Sequence, residues 1–152
     1  MKRNFGVLLT LFACLLPKLA GSQDRESPVI EALREELARA MGVLNQQEDP
    51  AYFIAYQVNE LAVLNLEATM GALRSRMADR ARYLDVDVRV GSYEFGNTHE
   101  IRGLRGAASP GFILPISLPV ENDLEALKSA IWLETDRRYK AALERWIQVR
   151  AN

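Results

Sequence analysis

Apolar residues recur at three- and four-residue steps near both ends of this chain and at every second position between them. Ile30, Leu33, Leu37, Met41 and Leu44 form one stripe and predict an amphipathic helix over residues 28–45. Ser27 offers an N-cap, and Pro28 sits where a missing N–H costs nothing. The opposite face carries Glu31, Arg34, Glu35, Glu36 and Arg39, a pattern expected to face water. From Ala51 the period shortens to two. Tyr52, Ile54, Tyr56 and Val58, followed by Leu64, Leu66, Ala68 and Met70, predict two strands joined by a tight connection at Asn59-Glu60. Gly71 interrupts the second of these, as a bulge or a close backbone approach would, and residues 73–76 continue it to a turn over residues 77–80. A third strand follows, with Leu84, Val86, Val88 and Val90 on one side and Asp85, Asp87 and Arg89 on the other, and Tyr93 and Phe95 begin a fourth that ends at Gly96-Asn97.

Residues 103–111 are rich in Gly, Ala, Ser and Pro and read as a mobile loop, whereas the doubly proline-interrupted residues 112–119 (FILPISLP) suit an edge strand or a connecting arm. Asn122 with Glu125 resembles a capping box, and Leu124, Leu127, Ile131, Thr135, Tyr139, Ala142, Trp146 and Val149 hold one face of a closing helix. Glu134 with Arg138 and Asp136 with Lys140 are i,i+4 pairs in the favourable order. The expected fold is α+β: an antiparallel sheet of about four strands, covered on one face by the N-terminal helix and the long C-terminal helix.

Export changes how the rest is read. Residues 1–4 are basic, residues 5–16 (FGVLLTLFACLL) are apolar but too short to span a bilayer comfortably, and small residues cluster at 20–22. Residues 1–22 therefore read as a signal peptide and residues 23–152 as a single α+β domain, periplasmic or extracellular, with no membrane span after leader removal. An alternative rests on Leu11-Phe12-Ala13-Cys14, which resembles a lipobox and would anchor the mature chain by a lipid on Cys14. Losing Lys2, Arg3 and Lys18 with the leader takes the formal charge from −1 to −4, so the domain lacks an electrostatic footprint for nucleic acid. Cys14 is the one cysteine, so the mature domain forms no internal disulfide and must be held by packing.

Candidate chemistry is sparse. Asp85 and Asp87 share a strand face and could bind a cation or divide acid and base roles, although Arg89 beside them would neutralise the pair. His99, the one histidine, follows a turn, but without partners it cannot complete a zinc sphere, and no serine lies in a nucleophile-elbow context. Trp132, Tyr139 and Trp146 on the last helix read either as core or as anchors of an interaction surface. In the second case they and residues 112–119 would favour self-association of the isolated domain.

Three segments together carry a family resemblance: residues 49–60 (DPAYFIAYQVNE), 82–103 (RYLDVDVRVGSYEFGNTHEIRG) and 118–144 (LPVENDLEALKSAIWLETDRRYKAALE). In wording and order they resemble the N-terminal region of exported members of the TldD/PmbA family, zinc metallopeptidases and inactive relatives. In that family the zinc is held in a downstream domain by a His-Glu-x-x-x-His helix and a further cysteine, and no residue of this chain matches those positions. The resemblance therefore implies no catalytic residue, metal ligand or cofactor in this chain. It implies a non-catalytic N-terminal domain that packs on a zinc-bearing catalytic domain and helps enclose the cleft through which an unfolded peptide reaches the metal. The alternative is a stand-alone periplasmic protein-interaction module without enzymatic activity, and a third reading is a small hydrolase using Asp85, Asp87 and His99.

Overall fold

A computed structural model describes residues 26–101 and 114–152, so the leader, Cys14 and the segment at 103–111 lie outside the described residues. The elements are α1 (Pro28–Leu44), β1 (Ala51–Thr69), β2 (Ala72–Val90), β3 (Ile116–Ser117) and α2 (Leu124–Arg150). Among the described residues the sheet has three antiparallel strands in the order β1-β2-β3 and not the expected four.

The difference lies in where the chain turns. The two expected strands over residues 52–70 are one strand, β1, in which Asn59 pairs with Tyr83 and Glu60 with Arg82; no connection occurs at Asn59-Glu60. Nor is there a turn at residues 77–80, because β2 runs unbroken through them. The reversal occurs at Met70-Gly71, with φ of 52° and 79°. Two positive φ values in a two-residue loop are what the right-handed twist of a hairpin demands, and glycine supplies one without a Cβ clash. Gly71 is thus the turn itself, and the bulge on β2 falls at Arg74, where the register slips between Glu67 and Ala68. Tyr93 and Phe95 form no strand: Gly91 and Gly96 make an isolated bridge, and Val90 N–H donates to the Asn97 side chain at 2.9 Å while Asn97 N–H returns a bond to the Val90 carbonyl at 3.0 Å. A buried asparagine side chain stands in for the missing strand. Of the segment expected as an edge strand or arm, Ile116–Ser117 form an edge strand, β3, paired with Tyr83 and Leu84, and residues 112–113 lie outside the described residues.

Both helices cover the same sheet face. Leu84, Val86, Val88 and Val90 from β2 and Ile54 from β1 are buried against Leu127 and Ile131 of α2 and Ala32 and Ala40 of α1. The buried line of α1 is Val29, Ala32, Glu36 and Ala40, flanked by the half-buried Leu33, Leu37, Met41 and Leu44, while Ile30 is 51% exposed. Small alanines at the centre of the contact let the helix approach closely, which rotates the face from the leucine-centred expectation. Glu36, expected in water, is buried and accepts from Arg39 Nε at 2.7 Å.

The closing helix keeps its expected stripe from Leu127 through Ile131, Thr135, Tyr139, Ala142 and Trp146 to Val149, all buried. Its cap is Asp123, whose carboxylate accepts from Ala126 N–H at 3.0 Å, and not Asn122. Asn122 is engaged elsewhere, accepting from Arg82 Nη2 at 3.0 Å. Asp136 and Lys140 make the expected exposed pair, but Glu134 and Arg138, joined at 2.6 Å, are 3% and 5% exposed and lie inside the protein. Thr135 Oγ1 donates to Ile131 O at 2.7 Å, so the Tyr56 hydroxyl, 2.7 Å away, donates to Thr135 and ties β1 to α2. Among the described residues no helix is long and apolar enough to cross a membrane.

Candidate functional site

Helix cover ends well before the hairpin does. Every residue from 59 to 80 is exposed, and β3 pairs with β2 no further than Tyr83, so the distal ladder is an arm of two strands without a third layer. At the usual strand rise it projects about 35 Å. Seven large apolar side chains lie on it: Leu61, Val63, Leu64, Leu66, Met70, Leu73 and Met77, from 46% to 101% exposed. An antiparallel ribbon that met water on one side would alternate apolar with polar residues. This one does not. Leu64 and Leu66 share one face with Ala62, Ala78, Arg76 and Arg80, while Leu61, Val63 and Met77 share the other with Asn65, Glu67 and Asp79. The ion pairs on the arm, Arg74 to Glu67 at 3.6 Å and Arg80 to Glu60 at 3.9 Å, are exposed and contribute little. A two-stranded hairpin is at best marginally stable alone in water, so this arm draws its order from its base.

The base is closed by Arg82. Its side chain is 3% exposed and donates from Nε and Nη2 to Glu60 Oε2 at 3.2 and 2.9 Å, from Nη1 to Pro119 O at 2.8 Å, and from Nη2 to Asn122. One guanidinium thus ties both strands of the arm to the segment leading into α2. Burial of so hydrated a group is tolerable because each bond is charge-assisted and its counter-ion, Glu60, remains partly in water.

The residues singled out in the sequence are placed differently. Asp85 and Asp87 do not act as a pair: Asp85 Oδ1 accepts from Val86 N–H at 3.0 Å and from Arg138 Nη2 at 3.2 Å, whereas Asp87 Oδ2 accepts from Arg89 at 2.8 and 3.0 Å. Arg89 in turn lies over the Phe53 ring at 4.6 Å. His99 accepts through Nδ1 from Gly96 N–H at 3.4 Å and stands edge-on to Phe95, a turn-closing role. No group of three or more His, Cys, Asp and Glu able to hold a metal occurs among the described residues.

Trp132, Tyr139 and Trp146 do not form one surface. Tyr139 and Trp146 are core residues, 8% and 7% exposed, and both reach the chain leaving α1: Tyr139 Oη donates to Asp49 O at 2.8 Å and Trp146 Nε1 to Asp49 Oδ1 at 2.9 Å. Their polar tips find partners inside the fold, which is why large amphipathic rings can be core here. Trp132 is 49% exposed and lines an open groove of about 530 Å³ between the helices with Glu36, Arg39, Glu125, Lys128, Ser129 and Leu133. The cations there are already paired, Arg39 with Glu36 and Lys128 with Glu35 and Glu125.

Burial raises the phenol pKa of Tyr56 and of Tyr139, where Asp49 reinforces the shift. A raised pKa means the folded state holds its proton more tightly, so stability is complete below the unfolded value and is lost as pH rises past 10.0 towards the folded values. Urea titrations at stepped pH are expected to show a fall above pH 10 that Tyr139→Phe and Tyr56→Phe reduce. An unchanged alkaline fall in both variants would contradict it.

Sequence reasoning missed the arm. The signal was present in residues 61–66, where Leu61 and Val63 occupy one parity and Leu64 and Leu66 the other, and in the lack of any glycine between Ala51 and Gly71. No protein-family model, curated protein or solved structure matches this chain.

Proposed function

We propose that this chain is a non-catalytic docking domain of an exported assembly, and that its arm packs on a zinc-bearing catalytic unit of the kind the TldD/PmbA resemblance implies. The observation that carries the docking role is the arm: apolar on both faces, without cover, and held at its base by a buried arginine. Such a surface on a monomer marks a place where another macromolecule binds. The resemblance supplies the partner's identity, and the leader over residues 1–22 supplies the compartment.

The test begins with coding sequence beyond and beside this chain, searched for an in-frame His-Glu-x-x-x-His unit. Co-expressed with that unit, the wild-type chain is expected to copurify with it, and the double change Leu64→Glu with Leu66→Glu to weaken binding about a hundredfold or more. Each lost leucine burial removes about 1.5–3 kcal/mol, and 1.4 kcal/mol is tenfold in affinity. Both leucines are more than half exposed, so the same variant should keep its own stability within about 0.5 kcal/mol. Undiminished binding by the variant would rule out the arm as the docking element. A chain that binds no zinc-bearing unit but recruits another protein through the arm would support the stand-alone interaction module instead.

A further inference from the structure

The two faces of the arm differ in charge, and that difference bears on what can cover them. Arg76 and Arg80 flank Leu64 and Leu66 on one face, where Glu60 offsets Arg80; Glu67 and Asp79 flank Leu61 and Val63 on the other, where Arg74 offsets Glu67, so one net positive charge is left on the first face and one net negative charge on the second. A two-fold pair of arms packed face to face must place like faces together, so that faces of the same net charge meet around a desolvated centre. Stacking unlike faces removes the repulsion but does not close, and leads to an open stack. An anionic lipid surface suits only the arginine face and would repel the other. Yet both faces are apolar to a similar degree, with Leu64 at 53% exposure and Val63 at 46%.

Resting on the docking role proposed above, we infer that the arm is a preorganised wedge received between two walls of a different protein: an acidic and apolar wall over Leu64, Leu66, Arg76 and Arg80, and a basic and apolar wall over Val63, Glu67 and Asp79. Preorganisation is visible at both ends. The Met70-Gly71 turn pins the register and Arg82 pins the base, which lowers the ordering cost of binding. A surface apolar on one side would need only a flat partner; apolar character on both sides needs a cleft.

The experiment places a photo-crosslinking amino acid at Leu64 or at Val63 of the full chain, in the cells that naturally make it, and identifies the captured peptides by mass spectrometry. Both positions are expected to capture the same protein, through acidic peptides from position 64 and Lys- or Arg-rich peptides from position 63. Arg76→Glu with Arg80→Glu should lower capture from position 64 at least tenfold, while the corresponding lysine changes keep it within about threefold. Capture from one position only, or of peptides without opposite charge bias, would overturn the two-walled cleft and leave the docking role standing. Capture of a second copy of this chain, or of no protein from either position, would overturn both.

Discussion

Trp146→Glu is expected to unfold the domain, whereas Trp132→Glu leaves it folded. Trp146 is 7% exposed, its ring meets Phe95 edge-on at 5.0 Å, and its N–H is satisfied by Asp49. Losing a buried tryptophan costs about 3–5 kcal/mol by cavity and transfer terms alone. The glutamate would add a second carboxylate beside Asp49 in a largely buried site, a further penalty that Arg150, already paired with Asp49 at 3.0 Å, offsets only in part. Single domains hold about 5–15 kcal/mol in total, so the sum removes most or all of the margin. Trp132, half exposed on the same helix, should change stability by no more than about 0.5 kcal/mol when replaced. Circular dichroism with urea titration distinguishes the two. A Trp146→Glu protein with a wild-type transition and altered assembly state would show that this helix face is a surface.

Gly91→Ala, just beyond β2, should be far more damaging than Gly71→Ala in the hairpin turn. Gly91 has φ of 103°, and a Cβ there would lie 2.7 Å from Phe95 O, 3.0 Å from Gly96 Cα and 3.2 Å from the Trp146 ring. Two of those neighbours are backbone in a bridge closed by Val90 and Asn97, so they cannot retreat without breaking it. Backbone strain of about 1–3 kcal/mol and overpacking of similar size combine to about 3 kcal/mol or more. Gly71→Ala is the control: its φ is 79° but a Cβ would meet nothing within 4 Å, so only the conformational cost applies, about 1 kcal/mol. Thermal melts should show a depression on the order of 10 °C for Gly91→Ala and a third of that for Gly71→Ala. Equal depressions would mean that the crowding around Gly91 is relieved in solution.

These contrasts also show which parts of the fold were legible. The α2 stripe could be read residue by residue from Leu127 to Val149, because seven turns of helix average out any single exception. The buried parity of β2, Leu84 to Val90, was equally plain, since a strand covered on one face must alternate. α1 was read as a helix with its face slightly misplaced. Hydrophobicity pointed to Leu33 and Leu37, while the most deeply buried positions are Ala32 and Ala40, whose advantage is size and not apolar character. Asn122 and Asp123 are adjacent acceptors with equal local claims to cap α2. Arg82, 40 residues earlier in the chain, settles the choice by engaging Asn122.

The candidate site was the least legible part. Alternation states that residues are extended, but it does not state where the extension stops: Asn59-Glu60 read as the turn and Gly71 as an interruption, and only the pairing places the reversal at Met70-Gly71. Nor does alternation tell whether a strand face has a layer above it. By itself the sequence determined the α+β class, the amphipathic helices at either end, the buried face of β2 and the exclusion of the proline-interrupted residues 112–119 from the centre of the sheet, because these follow from periodicity and backbone chemistry within a few residues. Only the tertiary structure decided that β1 and β2 outrun their helices, that Trp146 is core while Trp132 is surface, and that Arg82 closes the base of the arm. Those outcomes depend on which distant segments lie together, and burial is a property of that arrangement and not of a side chain alone.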